Sequence, residues 1–177
     1  VVNPTDRYTI SGIGYGLDGR VHHAAGAAAA IEDSILPYLM ASDAKLVDGK
    51  VVGDPTEGAL LVLGYKAAVD IDETRERLPR LATLPFDPTY KLMATFHEAT
   101  DAAGRPVARC FVKGAAPAVM ARAATALCGG EVITWDAGLS EQHRAHMERM
   151  EGEGRRVMAA ATRDLDRAAF DPDGDLL

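Results

Sequence analysis

The hydrophobic and polar positions of the chain form patterns that predict a mixture of helices and strands. Apolar residues that recur every three or four positions predict helices, and apolar residues that alternate with polar ones predict strands. The predicted helices are 24–40, 54–69, 72–78, 115–124 and 140–151. The predicted strands are 8–15, 20–22, 81–86, 92–97, 107–113 and 156–161. Helices and hairpin strands in this order indicate an α+β fold with a mainly antiparallel sheet flanked by helices.

The first predicted helix has one apolar stripe. Ile31, Ile35 and Leu39 are spaced by four residues and therefore lie on one side of a helix. Pro37 lies inside this pattern, and it predicts a kink or a break because proline lacks a backbone N–H and clashes with the preceding turn.

The second predicted helix has a distinct start signal. Asp54 is a suitable N-cap, Pro55 occupies the first helical position, and Glu57 occupies the third. Glu57 in that position can act as the capping-box partner of Asp54. The predicted apolar face of this helix consists of Ala59, Leu60, Leu63 and Ala67.

Composition and charge limit the function classes. The 177 residues are enough for one domain with a core, and 47% hydrophobic with 25% charged residues is ordinary for a globular protein. The net charge of −7 argues against nucleic acid or an anionic membrane surface as the main partner. A site for a nucleotide would therefore need locally placed cations. No apolar stretch approaches the roughly 20 residues of a membrane-spanning helix.

Two glycine-containing segments suggest phosphate chemistry to different degrees. The run Gly14–Gly19 matches G-x-G-x-x-G, but the following residues look extended rather than helical, which favours a glycine-rich hairpin turn. Lys113 and Gly114 follow a predicted strand and precede a predicted helix. Because glycine permits close approach to the backbone and a helix N-terminus attracts anions, this second segment is the better candidate for a ligand site.

Four segments, taken in order, resemble the nucleotide-binding domain of P-type ATPases. They are Gly53-Asp54-Pro55-Thr56-Glu57-Gly58-Ala59-Leu60, Leu84-Pro85-Phe86-Asp87-Pro88-Thr89-Tyr90-Lys91, Phe111-Val112-Lys113-Gly114-Ala115 and Gly154-Arg155-Arg156-Val157-Met158-Ala159. The pattern is most similar to the calcium and sodium/potassium pump branch, with a bacterial character. The resemblance implies that residues 1–177 are a single nucleotide-binding domain of a larger membrane pump, situated at the cytoplasmic face of the membrane.

The resemblance also implies roles for individual residues. Phe86 matches the aromatic residue that stacks on adenine, although the residue pattern alone favours a core phenylalanine at a strand end. Lys91 matches a lysine of the nucleotide site, and Lys113 matches the lysine of the Lys-Gly-Ala motif that Gly114 and Ala115 complete.

Two further residues are implied to contact the nucleotide. Glu57 matches the acid that accepts a hydrogen bond from the adenine amino group, in competition with its capping role. Arg156 matches the arginine that reaches the phosphates, and Arg155 is the alternative register. Lys91, Lys113 and Arg156 would then supply the local cations that an acidic domain needs to bind ATP.

The function implied by the resemblance is to bind ATP, with Mg²⁺ in the full pump, and to present it to an aspartate on another domain. The implied partners are the phosphorylation and actuator domains of the same pump. The phosphorylated Asp-Lys-Thr-Gly-Thr motif is absent, so the chain by itself is not expected to be an enzyme. Two alternatives stay open: a protein-interaction domain that docks a partner on helix 24–40, and an independent hydrolase.

Overall fold

A computed structural model describes residues 8–23, 31–128 and 131–176 of the chain. Its helices are α1 (Ile31–Met40), α2 (Pro55–Lys66), α3 (Ile71–Arg77), α4 (Ala116–Met120) and α5 (Ala137–Gly152). Its strands are β1 (Tyr8–Ile10), β2 (Val21–His23), β3 (Lys45–Val47), β4 (Lys50–Val52), β5 (Arg80–Asp87), β6 (Leu92–Thr100), β7 (Pro106–Ala115), β8 (Thr125–Cys128), β9 (Glu131–Thr134) and β10 (Met158–Asp166).

The central sheet has four strands in the order β10-β7-β6-β5, and each neighbouring pair is antiparallel. Strands β5, β6 and β7 follow one another in the chain, whereas β10 pairs with β7 after an excursion through α4, α5 and a hairpin. The other strands form three two-stranded hairpins, β1-β2, β3-β4 and β8-β9. The predicted α+β fold with a mainly antiparallel sheet is confirmed.

Helix α1 lies on one face of this sheet, and α2 and α3 pack against α1. Ile35 and Leu39 of α1, Leu61 of α2 and Ile71 of α3 are almost fully buried in one shared cluster. Below them, Met40 and Ala41 at the end of α1 pack on Phe111 of β7. The Tyr38 hydroxyl donates to the carbonyl of Met158 at 3.1 Å, which ties α1 to the start of β10.

The opposite face of the sheet is covered by the segment that follows β10. Phe96 and Cys110 are buried there, and Phe170 and Leu176 pack against them. The rings of Phe96 and Phe170 are stacked with centroids 5.1 Å apart. Because successive strand residues point to opposite faces, Cys110 and Phe111 belong to these two different cores.

The first two predicted helices are present, with corrections. The stripe of Ile31, Ile35 and Leu39 is buried as predicted, but α1 runs through Pro37 without a break. Residues 24–30 of this predicted helix lie outside the described residues. Asp54 caps α2 as predicted, because its side chain accepts from the backbone N–H groups of Thr56 and Glu57.

The predicted apolar face of α2 is confirmed only in part. Leu63 is buried and Ala67 packs against the same cluster, but Ala59 is exposed, and Leu61 and Val62 are buried although they were not predicted to be. Gly64 explains the difference, because a Cβ atom at this position would lie only 2.8 Å from Leu39 Cδ2. The helix therefore approaches α1 through its glycine side, which a count of apolar residues does not detect.

Several predicted boundaries were also wrong. Strand β1 ends at Ile10 rather than at residue 15, and the last strand begins at Met158 rather than at residue 156. Helix α4 spans only five residues, since β7 continues through Ala115 and β8 starts at Thr125. Helix α5 begins at Ala137 instead of residue 140, because the side chain of Asp136 caps it by accepting from the N–H of Leu139.

Candidate functional site

The register of the central sheet brings three of the resembling segments to one end. Asp87 pairs with Leu92, Leu92 pairs with Gly114, and Gly114 pairs with Ala159. The Phe86–Lys91 segment, the Lys113–Ala115 motif and the start of β10 therefore lie side by side. Gly114 and Ala159, which are more than forty residues apart in the sequence, thus lie on neighbouring strands.

The turn from β5 to β6 presents Phe86 and Lys91 at this end of the sheet. The Asp87 side chain accepts from the N–H of Thr89 at 2.6 Å, and the Lys91 N–H donates to the Asp87 carbonyl at 2.7 Å. Phe86 is 61% exposed, so its interpretation as a core residue is wrong. Lys91 is also exposed, and its φ of 57° places it in the left-handed region at the end of the turn.

Position 114 has to be a glycine because the neighbouring strand lies too close for a side chain. A Cβ atom at this position would lie 2.4 Å from the Lys91 carbonyl oxygen and 2.8 Å from Leu92 Cα. The neighbouring Ala115 donates its N–H to that same Lys91 carbonyl at 2.9 Å. The absence of a side chain thus lets the Lys113–Ala115 motif fit closely against the turn that presents Phe86 and Lys91.

Glu57 and Lys113 form a buried ion pair beside this motif. The Lys113 ammonium lies 2.7 Å from Glu57 Oε1, and the two side chains are 4% and 15% exposed. Burial lowers the pKa of Lys113, while the hydrogen bond and the negative charge of Glu57 act in the opposite direction. The pair therefore holds a cation at a position where burial alone disfavours its charged form.

The second oxygen of Glu57 orders the loop after α1, which we call the 42–44 loop (Ser42, Asp43 and Ala44). Oε2 accepts from the N–H of Asp43 at 2.8 Å, from the N–H of Ala44 at 3.1 Å and from the Ser42 hydroxyl at 3.3 Å. These contacts replace the predicted capping-box contact with Asp54. Among the described residues Oε1 accepts only from Lys113, so it can accept from one more donor.

The carbonyl groups of the same loop are held from the other side. Arg75 of α3 donates to the carbonyls of Ser42 and Ala44, each at 3.2 Å. Arg80 of β5 donates to the Ser42 carbonyl at 3.0 Å and pairs with the Asp43 carboxylate. Both sides of this peptide segment are therefore fixed, with the N–H groups toward Glu57 and the carbonyl groups toward the two arginines.

Arg156 lies at the first turn of α2, next to the ion pair. Its guanidinium Nη1 is 3.4 Å from the Thr56 hydroxyl, and Thr56 directly precedes Glu57. Arg155 instead pairs with Glu153 at 2.9 Å. Of the two alternatives for the last segment, Arg156 is the one that faces the other candidate residues.

The helix predicted after Gly114 is present but shorter than predicted. Helix α4 starts at Ala116 and has five residues, so one strand residue, Ala115, and then a single short helical turn follow Gly114. The role of this helix N-terminus in binding an anion stays a prediction. Lys113 supplies a buried side-chain cation, and Gly114 supplies close strand packing.

The sequence reasoning missed Thr56 and the 42–44 loop. Thr56 is part of a quoted segment and could have been found from its position next to Glu57. The loop carries no such signal, because two of its three contacts with Glu57 are made by backbone N–H groups that any residue provides.

The surface near these residues is open. A cleft of about 440 Å³ is lined by other residues, among them Lys45, Arg75, Arg80 and His97, and by none of the seven predicted site residues. Within the described ranges, no group of three or more metal-binding side chains is found. No described helix is both long enough and apolar enough to cross a membrane.

Comparison with known proteins places this geometry in context. The family described as P-type ATPase, cytoplasmic domain N, matches residues 23–175. The cation-transporting ATPase pma1 of Synechocystis sp. is 31% identical over 90% of this chain and 18% of its own length. The calcium-transporting ATPase 1 of Lactococcus lactis is 34% identical over 64% of this chain and 12% of its own length. The chain thus spans less than a fifth of the length of these relatives.

Proposed function

Because this chain belongs to the P-type ATPase family as its cytoplasmic domain N, we propose that it binds ATP for a longer cation pump. The domain would present the nucleotide to an aspartate on the phosphorylation domain, and the actuator domain would be its other partner. The pump would be embedded in a membrane with this domain at the cytoplasmic face. Transport of a cation, with calcium as one candidate, is proposed from the names of these relatives.

The observation that carries this proposal is the exposed ring of Phe86. A phenylalanine that is 61% exposed at the end of a sheet lacks the packing that would explain a structural role. Stacking of a base on such a ring contributes about 1–3 kcal/mol without requiring a charge. We propose that adenine stacks on Phe86.

Cations around the sheet end would orient the rest of the nucleotide. Lys91 lies five residues beyond Phe86 in the same turn and is exposed, so its ammonium can reach a bound ligand. Arg156 would contact the phosphates from beside Thr56. Lys113 is only 3% exposed, and we propose that it forms the floor of the site, held in place by Glu57.

Glu57 is proposed to act in two ways. Its Oε1 would accept one hydrogen bond from the adenine amino group while it also holds Lys113. Gly114 and Ala115 would take part by fitting the motif against the Lys91 turn. Mg²⁺ would arrive with the phosphate oxygens of ATP, where it neutralises charge and orients the phosphoryl group for transfer.

The interaction-domain alternative is weakened by the packing of α1. Ile35 and Leu39 of its apolar stripe are at most 1% exposed and pack inside the domain. This stripe is therefore already covered by α2 and α3 in the described part of the helix.

The decisive experiment is an NMR titration of the ¹⁵N-labelled chain with ATP, with and without Mg²⁺, and with GTP as the control nucleotide. We expect weak, saturable shifts at Glu57, Phe86, Lys91 and Gly114, larger for ATP than for GTP. We expect a dissociation constant near the millimolar level, which corresponds to a binding free energy of about −4 kcal/mol. One stacked ring and a few exposed ionic contacts support little more.

Replacement of the stacking ring tests the central step. Phe86→Ala should reduce ATP binding at this site below detection, as measured by the shifts at Glu57, Lys91 and Gly114, with the circular dichroism spectrum unchanged, since an exposed ring contributes little to the core. The matched control is Tyr90→Ala, which removes an aromatic residue that is 40% exposed in the same turn. If Phe86→Ala retains ATP affinity, or if Tyr90→Ala loses as much, adenine does not stack on Phe86.

A further inference from the structure

A basic cleft lies on the helical side of the domain, separated from Glu57 of the proposed ATP site by the 42–44 loop. We define the basic cleft by Asp43, Lys45, Arg75, Arg80 and His97, and its volume is about 440 Å³. It opens where α3, the 42–44 loop and the hairpin β3-β4 meet the β5-β6 end of the sheet. This cation-rich depression occurs on a protein whose net charge is −7.

The positive charge of the basic cleft is only partly balanced. Arg80 pairs with Asp43, the carboxylate among the residues that define the cleft. The guanidinium of Arg75 is directed to carbonyl groups, and within the described ranges neither Arg75 nor Lys45 has a carboxylate at ion-pairing distance. Burial lowers the pKa of Arg75, and the positive charge of Arg80 lowers it further, whereas the negative charges of Asp72 and Asp43 act in the opposite direction. An anion in the cleft would offset both of the lowering effects.

His97 adds a different group to the same cleft. Its Nδ1 lies 2.7 Å from the Leu78 carbonyl oxygen, and since a carbonyl only accepts, Nδ1 carries the hydrogen. The other ring nitrogen, Nε2, is buried and has no hydrogen-bond partner among the described residues. In the neutral ring this atom is an acceptor, so a ligand group that hydrogen-bonds to it has to donate.

We propose that the basic cleft binds a small oxyanion of the phosphate type. Hydrogen phosphate carries oxygens that accept from Lys45 and the arginines, and it carries one P–OH group that can donate to Nε2 of His97. Chloride lacks the donor, and a fully ionised carboxylate lacks it as well. The donor-rich lining with one unused acceptor therefore favours a protonated oxyanion over other anions.

Two sources of this chemistry are possible, namely free phosphate and the phosphoryl group of a larger molecule. The first probe is inorganic phosphate, titrated into the ¹⁵N-labelled chain at constant pH and ionic strength with sodium chloride as the balancing salt. We expect saturable shifts of the Asp43, Leu78 and His97 resonances that sodium chloride does not produce. The second probe is ATP added to the Phe86→Ala variant, in which shifts at the same resonances would identify a phosphoryl group as a ligand.

Charge reversal on the hairpin tests the site without removing the contacts of the arginines. Lys45→Glu should weaken phosphate binding about tenfold or more, because one charge-assisted contact contributes about 1.5–3 kcal/mol and becomes repulsive. Lys50→Glu is the matched control, since this exposed lysine lies on the same hairpin and changes the net charge equally. It should change the affinity less than about twofold, as expected for a surface charge outside the site.

Three results would overturn the proposal: no saturable shifts with either probe, equal shifts with sodium chloride, or equal weakening by Lys45→Glu and Lys50→Glu. The last result would show that phosphate responds only to net charge. Failure of this proposal is distinguished from failure of the ATP site by the resonances that report each one: Leu78 and His97 report phosphate in the cleft, and Phe86 and Lys91 report ATP. The Asp43 resonance alone decides nothing, because its N–H donates to Glu57 of the proposed ATP site.

Discussion

At the residue scale, the main feature is the position of Glu57 between two structural tasks. One oxygen neutralises the buried Lys113, and the other orders the 42–44 loop through three donors. A buried ammonium without its counter-charge is costly, and so are backbone N–H groups without acceptors. Glu57 therefore stabilises the domain before any ligand arrives.

Glu57→Gln should lower the free energy of unfolding by about 3 kcal/mol, since it leaves the buried ammonium of Lys113 without a counter-charge. The double variant Glu57→Gln/Lys113→Met should lose less than the sum of the two single variants, because it removes both charges. Urea denaturation of the four proteins measures this coupling.

A control for that cycle is the exposed pair of Glu141 and Arg144 on α5. Glu141→Gln should have little effect, as is usual for solvent-exposed ion pairs. Additive losses in the Glu57 and Lys113 variants would show that the two side chains do not stabilise each other.

At the element scale, the first turn of α2 positions two groups of the proposed site. Asp54 caps the helix, and Thr56 and Glu57 follow within that turn. The direction of these side chains therefore depends on where α2 begins, and the start is fixed by the cap and by Pro55.

Asp54→Ala should lower the free energy of unfolding by about 1 kcal/mol and should also weaken ATP binding, because the first turn would fray. Asp136→Ala removes the equivalent cap from α5, a helix with no fully buried residue. That variant should lose no more stability and should keep its ATP affinity. Thermal unfolding and the NMR titration measure the two properties, and equal weakening of ATP binding in both variants would contradict a specific role for α2.

The sequence predicts elements well where one local pattern determines them. The Asp54 cap and the stripe of α1 depend on neighbouring residues only, and both are confirmed. The hairpin β3-β4 was missed although its turn, Asp48-Gly49, has positive φ angles of 49° and 73°. Asp-Gly between short apolar runs is a strong hairpin signal, so this element could have been found.

The candidate site was predictable only in part, for a physical reason. Phe86, Lys113 and Arg156 could be proposed from the sequence because each belongs to a short segment that resembles a family motif. Other contacts join residues from distant segments of the chain. They are the ion pair between Glu57 and Lys113 and the hydrogen bonds from Arg75 to the 42–44 loop. Such contacts depend on how the elements pack, and a pattern within one segment contains no information about them.

At the scale of the whole molecule, the protonation state of one buried histidine affects stability. His97 is 2% exposed, between the Leu78 carbonyl and the ring of Phe111. Burial lowers its pKa, the hydrogen bond to Leu78 opposes this, and the charges of Arg80 and Arg75 lower the pKa further. The folded domain therefore favours the neutral ring.

The domain should lose stability as the pH falls below about 6.5. In this range His97 binds a proton more readily in the unfolded chain than in the folded domain, where its pKa is lower. The slope from this residue is at most about 1.4 kcal/mol per pH unit. Urea denaturation at pH 7.5 and pH 5.5 should show a smaller pH effect in His97→Gln than in the wild type. The exposed His22→Gln variant is the control and should keep the wild-type pH effect; an unchanged pH effect in His97→Gln would contradict the prediction.

The position of β10 has a consequence for how the molecule is made. Strand β7 ends at Ala115, yet its partner β10 begins only at Met158 and pairs with it from Met158↔Ala115 to Asp166↔Val107. During synthesis, the hairpins β5-β6 and β6-β7 can form early, while one side of β7 keeps its backbone groups unpaired. Such an open edge invites pairing with other nascent chains, and contacts between distant residues form slowly. Until β10 has been made and pairs with β7, the new domain therefore carries an open strand edge that the finished fold covers.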